Sequence, residues 1–189
     1  MPHDISLRLA RTDDAASLLA IYAPYVRSTA ISFELEPPSQ ERFAKRITRT
    51  LASFPWLVAE SEELLGFCYA SRLKKRAAYD WAVETSIYIR QEEMHKGLGR
   101  MLYQKLEELL RAQGILNCYA CLGWSDSESP LLPHTSLHFH KAMGYQVVGH
   151  FNRCGYKFGQ WWDILWLEKQ LGPHAKPAPV ILAPREPFA

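Results

Sequence analysis

The chain has 189 residues, of which 48% are hydrophobic and 22% charged, and its formal net charge at pH 7 is +2. A chain of this length and apolar content can bury a sizeable core in one domain, which excludes disordered, collagen-like and disulfide-scaffold classes. The near balance of charges argues against a specialist in binding nucleic acid or membrane surfaces.

No apolar run approaches the roughly 18 residues of a membrane span, and the first residues are too polar for a signal peptide. The four cysteines are most simply explained as reduced thiols. We therefore expect a cytoplasmic protein with neither a nucleic-acid nor a membrane partner.

Hydrophobic periodicity predicts strands before, between and after the helices. Thr12 or Asp13 should cap a first helix, which Pro24 should bend or divide, and Ser39 should cap a second. Further helices are predicted at 98–113 and around 137–143, and strands at 6–9, 55–60, 64–73, 81–90, 117–122, 146–151 and 162–167. This order predicts a mixed α/β (α+β) class, with a sheet flanked by helices.

The last 18 residues differ in composition from the rest of the chain. Residues 172–189 hold five of the twelve prolines and show no periodicity. We expect a single domain over 1–171, followed by an extended tail that is loose or lies along a partner.

The strand at 81–90 has one apolar face, and its other face places Glu84, Ser86 and Tyr88 side by side. A lone carboxylate on an apolar strand suits a general base, because burial would raise its pKa toward neutrality. A glutamate paired with a neighbouring cation on an exposed face explains the pattern equally well.

A short loop with two glycines, His95-Lys96-Gly97-Leu98-Gly99-Arg100, separates this strand from the next helix. Free N–H groups and the dipole at a helix start favour a pyrophosphate, and glycine lets the backbone approach it closely. The alternative, that the glycines only relieve a tight turn, is about as good from the loop alone. Neither standard nucleotide fingerprint is present.

Two apparent metal or redox patterns are better explained otherwise. Cys118 and Cys121 lie three apart in a predicted strand and would point to opposite faces, so we interpret both as small core residues. His134, His138 and His140 lack a cysteine or carboxylate to complete a ligand set. We therefore expect no metal site.

Four segments in order resemble a known family. The run 94–99 resembles the Q/R-x-x-G-x-G/A acetyl-CoA signature of the GNAT acyltransferase superfamily. Within it, AYDWAVE at 78–84, FHKAMGY at 139–145 and GYKFGQWWD at 155–163 look closely like phosphinothricin N-acetyltransferases. The resemblance covers roughly residues 5–170. Met94 departs from the family's Gln or Arg, the loop 125–135 is longer than usual, and Asp126 is the nearest counterpart of an expected asparagine.

The resemblance implies a GNAT fold, in which a mixed, largely antiparallel sheet is splayed open where acetyl-CoA binds as co-substrate. The pantetheine would pair with backbone of Ile87, Tyr88 and Ile89, as an added strand does. The other cofactor-binding residues implied are His95, Lys96, Gly97, Leu98, Gly99, Arg100 and Asp126.

The resemblance also assigns the chemistry. Glu84 would be the base that deprotonates the acceptor amine, and His140 would give a proton to the leaving thiolate. From the residues alone, a core histidine is the more frequent explanation of His140. The substrate-binding residues implied are Lys74 and Arg76 for an acidic group, with Phe33, Tyr79 and Tyr88 as aromatic walls.

The function implied is an N-acetyltransferase that acetylates the free α-amine of a small amino acid or analogue, such as phosphinothricin, methionine sulfone or methionine sulfoximine. Transfer would be direct, in a ternary complex, and the protein a homodimer. Three alternatives remain open: a peptide N-terminus or polyamine as acceptor, a non-catalytic acetyl-CoA sensor, and a histidine-based metal-binding domain.

Overall fold

A seven-stranded sheet with helices on both faces organises the chain, and the computed structural model describes residues 5–183. Its elements in chain order are β1 (Ser6–Leu9), α1 (Ala15–Ser28), α2 (Gln40–Leu51), β2 (Trp56–Glu60), β3 (Leu64–Arg72), β4 (Ala82–Ile89), α3 (Leu98–Gln113), β5 (Asn117–Trp124), α4 (Thr135–Ala142), β6 (Gln146–Lys157) and β7 (Gln160–Gln170). The strand order is β1-β2-β3-β4-β5-β7-β6. Every adjacent pair is antiparallel except β4–β5, so the predicted mixed, largely antiparallel sheet is confirmed.

Each face of the sheet has its own hydrophobic core. Helices α1 and α2 bury Leu18 and Ile47 against Trp56 and Phe67 on one face. Helix α3 lies on the other face with α4, and its leucine stripe packs against the strands there. The sheet therefore forms the middle of three layers, and residues that alternate along a central strand enter different cores.

The sheet splits between its two central strands. β4 and β5 pair only from Ala82 to Glu84, opposite 117–119. Beyond Glu84, β4 continues along β3 to Ile89, and β5 continues along β7 to Trp124. The two strands therefore diverge for five residues on each side, which confirms the predicted splayed sheet.

The first two predicted helices, α1 and α2, are present, and two details of α1 differ from the prediction. Ser39 caps α2 as predicted, since its Oγ accepts from the Arg42 amide at 3.2 Å. A 3-10 turn occupies Thr12–Asp14, so Asp14 is the N-cap of α1 instead of Thr12 or Asp13. Helix α1 also runs through Pro24 without dividing, because the residues after the proline stay buried against the sheet.

The described part of the tail packs on the domain itself. The Trp81 indole N–H donates to the Pro179 carbonyl at 2.7 Å, and the Leu182 amide donates to the Gln113 carbonyl at 2.9 Å. Ile181 packs against the core of the α3 face. At these points the described tail is therefore held by its own domain and is not loose. Residues 184–189 lie outside the described part.

No helix within residues 5–183 has both the length and the apolar character needed to cross a bilayer.

Candidate active site

The split between β4 and β5 opens into a small cavity of about 50 Å³. Both strands line it, together with residues 132–134 of the long loop and one side of α4. A larger groove of about 290 Å³ extends from this region to the start of α3. Ile31, Ile87 and Ser136 line both spaces, so the cavity and the groove adjoin at these residues.

The β4 backbone offers free groups to the split at alternate residues. The Arg90 amide donates to the Leu65 carbonyl on the β3 side at 2.8 Å. Because antiparallel strands turn every second residue toward the partner, the Tyr88 backbone also faces β3, and Ile87 and Ile89 face the split. The Tyr25 hydroxyl donates to the Ile89 carbonyl. Of the three residues predicted to pair with a pantetheine, Ile87 and Ile89 thus have the suitable orientation.

The loop before α3 has the geometry of an anion site. Gly97 is the N-cap of α3, and the amides of Leu98, Gly99 and Arg100 form the first helical turn, where no i–4 carbonyl is available. All four residues line the groove, as do Met94 and His95. Lys96 is turned aside, because its ammonium pairs with Glu93 at 3.0 Å.

The two glycines of this loop are needed for different reasons. Gly97 has φ of +86°, a left-handed conformation that favours glycine, and a Cβ there would meet no atom within 4 Å. A Cβ on Gly99 would lie 3.0 Å from the Phe139 ring. The turn therefore requires the first glycine, and close packing of α3 on α4 requires the second.

Glu84 lies at the point where the sheet divides. It is the last β4 residue paired with β5, and its carboxylate has no hydrogen bond or ion pair within residues 5–183. Burial raises the pKa of Glu84, and the charge of Lys74 opposes that rise. The ion-paired surface glutamate considered from the sequence is not what the structure contains. Glu84 does not itself line the cavity, but Ser86, two residues further on the same face, does.

His140 is buried at 2% exposure and both its ring nitrogens are engaged. Nδ1 lies 2.7 Å from the Ser136 carbonyl, which can only accept, so Nδ1 carries the proton. Nε2 lies 3.0 Å from the Tyr103 hydroxyl, whose single proton is shared between Nε2 and Thr85 Oγ1, 3.2 Å from the hydroxyl. Burial lowers the pKa of His140 to about 4, so the ring is neutral at pH 7. In this state His140 has no N–H directed into the cavity.

The predicted acceptor residues are only partly brought together. Lys74 and Arg76 are exposed in the turn before β4, and Lys74 is close enough to influence Glu84. Tyr79 lines a separate pocket beside Asn117 and the tail, so the structure does not place it at the split.

The remaining predicted residues have mainly packing contacts. Phe33 packs beside Gly123 on β5 and Gly155 on β6. Tyr88 also lines the cavity, but its ring packs edge-on against Tyr22 at 4.7 Å. Asp126 is exposed and lies in neither the cavity nor the groove.

Sequence reasoning missed three residues of this region. Tyr103 lines the cavity from α3, Ser136 lies where cavity and groove adjoin, and Lys157 is a buried lysine. Tyr103 and Ser136 gave no usable signal, since a tyrosine among leucines and a serine at a helix start are ordinary. Lys157 lies within the resembling segment 155–163 and could have been singled out there.

The cysteines and histidines do not form an ion-binding group. Cys118 is buried in the α3-side core as predicted, but Cys121 is only half-buried on the opposite face, so its prediction as a core residue was wrong. Across the part of the chain that the structure describes, no three His, Cys, Asp or Glu side chains are grouped as metal ligands.

Comparison with known proteins identifies what this architecture resembles. The family model described as "Acetyltransferase (GNAT) domain" matches residues 7–166. A phosphinothricin N-acetyltransferase of Streptomyces viridochromogenes is 33% identical over 178 residues, which cover 93% of each chain. An L-methionine sulfoximine/L-methionine sulfone acetyltransferase of Pseudomonas aeruginosa is 32% identical over 171 residues, covering 89% of this chain and 95% of that one.

A solved structure agrees over almost the whole chain. The GNAT superfamily phosphinothricin acetyltransferase of Sinorhizobium meliloti, in complex with acetyl-CoA, has a TM-score of 0.84 and 29% identity. The match covers 98% of this chain and 99% of that one.

The lowered pKa of His140 predicts an acid-sensitive contribution to stability. Between the ordinary value of 6.5 and the folded value of about 4, the unfolded state binds a proton that the folded state does not. Stability is therefore lost as the pH falls through this window, by about 2–3 kcal/mol at pH 4.5 relative to pH 7. We expect His140→Phe to lack this loss, measured by urea unfolding at the two pH values.

The matched control is His138→Phe, an exposed histidine on the same helix. It should retain the acid-side loss of the wild type because His140 is intact. An equal pH dependence in the wild type and His140→Phe would show that His140 protonates freely in the folded state.

Proposed function

The chain belongs to the GNAT acetyltransferase family, and from that premise we propose that it transfers an acetyl group from acetyl-CoA to the free α-amine of a small amino acid or analogue. The observation that carries the proposal is the split sheet with a half-buried, unpaired carboxylate, Glu84, where the strands part. The relatives reported above act, by their names, on phosphinothricin and on methionine sulfoximine or sulfone, which share an amine and an acidic group.

The chain offers acetyl-CoA a suitable surface. The free backbone groups of Ile87 and the Ile89 amide would hold the pantetheine, and the amides of Leu98, Gly99 and Arg100 would hold the pyrophosphate. Met94 supplies an apolar wall of the groove where the family has a polar side chain. Acetyl-CoA, when bound, supplies the acetyl group.

Glu84 would take the proton of the acceptor. A primary amine is mostly ammonium near neutral pH and has no lone pair for attack. A carboxylate whose pKa is raised by burial binds that proton more readily than an exposed one. Amine and acetyl donor would be held together, so that transfer is direct.

His140 has no proton to give to the leaving thiol in this state and would act only by positioning Tyr103, whose own hydroxyl proton would go to the thiolate and be replaced from water. Its one N–H is bound to a backbone carbonyl, and Tyr103 stands between Nε2 and the cavity that both residues line. This replaces the simpler expectation of direct donation from the imidazole. Lys74 and Arg76 would bind the acid group of the acceptor, and Phe33 would form an apolar wall.

We further propose that the protein is a homodimer joined through β6. This strand ends the sheet, so one edge of its 12 residues has no neighbouring strand in the described chain. Large side chains on and beside it are exposed, among them Phe151 at 52%, Tyr156 at 57% and Trp161 at 61%. An exposed edge with an apolar surface is the kind of feature that a second copy covers.

The test of the function is thiol release from acetyl-CoA against a panel of amines. The panel holds phosphinothricin, methionine sulfone, methionine sulfoximine, the common amino acids, a polyamine and a short peptide. We expect release with the small amino acids and analogues only. Release with the peptide or polyamine alone would remove Lys74 and Arg76 from acceptor binding, and binding of acetyl-CoA without any release would favour a sensor.

Glu84→Gln tests the base. We expect kcat to fall by about 10²-fold or more while the Kd of acetyl-CoA stays within about twofold, because the amide cannot accept a proton. In the wild type, the acid limb of kcat/KM should lie above 4.5, the ordinary carboxyl value, and Glu84→Gln should lack it. An unchanged acid limb in Glu84→Gln would exclude this residue as the base.

The same assays test the relay. His140→Phe and Tyr103→Phe should lower kcat by similar factors, both smaller than that of Glu84→Gln, since water can also protonate a thiolate. A full effect in His140→Phe with none in Tyr103→Phe would contradict a path through the tyrosine.

Sedimentation velocity tests the dimer. The wild type should have twice the 21.7 kDa mass of the chain, and Trp161→Lys should shift it toward the single chain by placing a charge in the interface. Val180→Lys, at an exposed valine of the tail, is the control and should leave the mass unchanged. A monomeric wild type would reject the proposal.

A further inference from the structure

A lysine at the end of β6 donates all its N–H groups to backbone carbonyls. Lys157 is 4% exposed, and its Nζ donates to the carbonyls of Val26 at 2.7 Å, Thr29 at 2.9 Å and Ser32 at 2.6 Å. An ammonium has three N–H donors, so these three acceptors use its whole capacity. A buried lysine is rare unless it is paired in this way.

The three carbonyls belong to one short stretch of chain. Val26 lies in the last turn of α1, where carbonyls have no helical partner and the helix dipole favours a cation. Thr29 and Ser32 belong to the loop that follows. This loop places Ile31 on the walls of both the cavity and the groove, and it carries Phe33.

The same loop is tied to the long loop before α4. The Ala30 amide donates to the Leu131 carbonyl at 2.7 Å. Ala30, Leu132 and Trp162 form a small buried cluster, and the Trp162 indole N–H donates to the Lys157 carbonyl at 2.9 Å. Three segments distant in sequence therefore meet at one point: residues 29–34, 131–134 and the hairpin residues 155–162. We name this junction the clasp.

The β6–β7 hairpin packs so closely against residues 29–34 that there is no room for a side chain at Gly155. A Cβ on Gly155 would lie 2.1 Å from the Phe33 ring. Ile31 and Leu132 each line the cavity from one of the joined segments. The clasp therefore fixes the positions of the Ile31 and Leu132 side chains in the wall of the cavity.

We propose that Lys157 is a positioning residue that determines acceptor specificity, by locking residues 29–34 and 131–134 over the split through the clasp. It contacts neither substrate itself. The inference rests on the proposed acetyl transfer for its kinetic readout, but the structural lock does not depend on that reaction.

We expect the clasp to affect binding of the acceptor more than binding of acetyl-CoA. The groove at the start of α3 is lined mainly by the loop 93–100 and by α4, and of the clasp only Ile31 reaches it. Displacing Ile31 and Leu132 would change the shape of the cavity at the split and leave the anion site intact. A displacement of about 1 Å in such a wall is enough to impair a reaction strongly.

Lys157→Met tests the proposal, because methionine keeps an unbranched side chain only one atom shorter and removes all three donors. We expect KM for the preferred acceptor to rise by about tenfold or more, with the Kd of acetyl-CoA within about twofold of the wild type. Lys157→Arg should not restore KM, since a planar guanidinium cannot present its N–H groups as an ammonium does. Lys45→Met, at an exposed lysine that pairs with Glu41, is the matched control.

Hydrogen exchange followed by mass spectrometry gives a readout that needs no activity. In Lys157→Met, peptides covering 29–34 and 131–134 should exchange at least about tenfold faster, while the α3 peptides remain as in the wild type. If Lys157→Met does not fold, Trp162→Phe removes one clasp donor with little change in packing, and the same two segments should exchange faster.

The two proposals fail in different ways. Faster exchange in 29–34 with no acetyl transfer by the wild type would support the lock and reject the proposed function. Acetyl transfer with unchanged acceptor KM in folded Lys157→Met, or unchanged exchange in 29–34, would reject the role of Lys157.

Discussion

The short parallel contact between β4 and β5 is the constraint on which the site depends. A parallel pair that continued to the ends of both strands would satisfy every backbone group and leave no space between them. Here pairing stops at Glu84, so the Ile87 backbone and the Ile89 amide face an open cavity. The same divergence leaves α3 and its N-terminal amides beside the opening. One interrupted ladder thereby produces a groove and an anion site, and it leaves the Glu84 carboxylate where the two strands part.

Burial shifts the pKa values of the two predicted catalytic residues in opposite directions. Removal from water disfavours the charged form of any group, so it raises the pKa of Glu84 and lowers that of His140 to about 4. The carboxylate becomes a better proton acceptor at neutral pH, whereas the imidazole becomes a poorer proton donor. The family resemblance implies a role for both residues, and the local environment favours direct proton transfer for Glu84 alone.

Periodicity predicted the element order, the alternation that separates Glu84 from the core, and the turn at Gly97, because each depends on residues close in sequence. It could not predict the partners of His140 or Lys157, since Tyr103 is 37 residues from one and Val26 is 131 residues from the other. The hairpin strands were also predicted too short, because β6 is exposed along most of its length and shows no apolar alternation. Contacts between residues that are far apart in the sequence were therefore the main limit on predicting the site.

The hydrogen bonds between the tail and the start of β4 can form only late in the synthesis of the chain. The Trp81 indole N–H donates to the carbonyl of Pro179, which lies 98 residues later in the chain. The Gln113 carbonyl at the end of α3 accepts from the amide of Leu182. During translation the domain emerges N-terminal end first, so the strand that carries Glu84 is already outside the ribosome while its last hydrogen-bond partners are still being added. The fourth of the seven strands is thus synthesised well before the segment that completes the hydrogen bonds beside it.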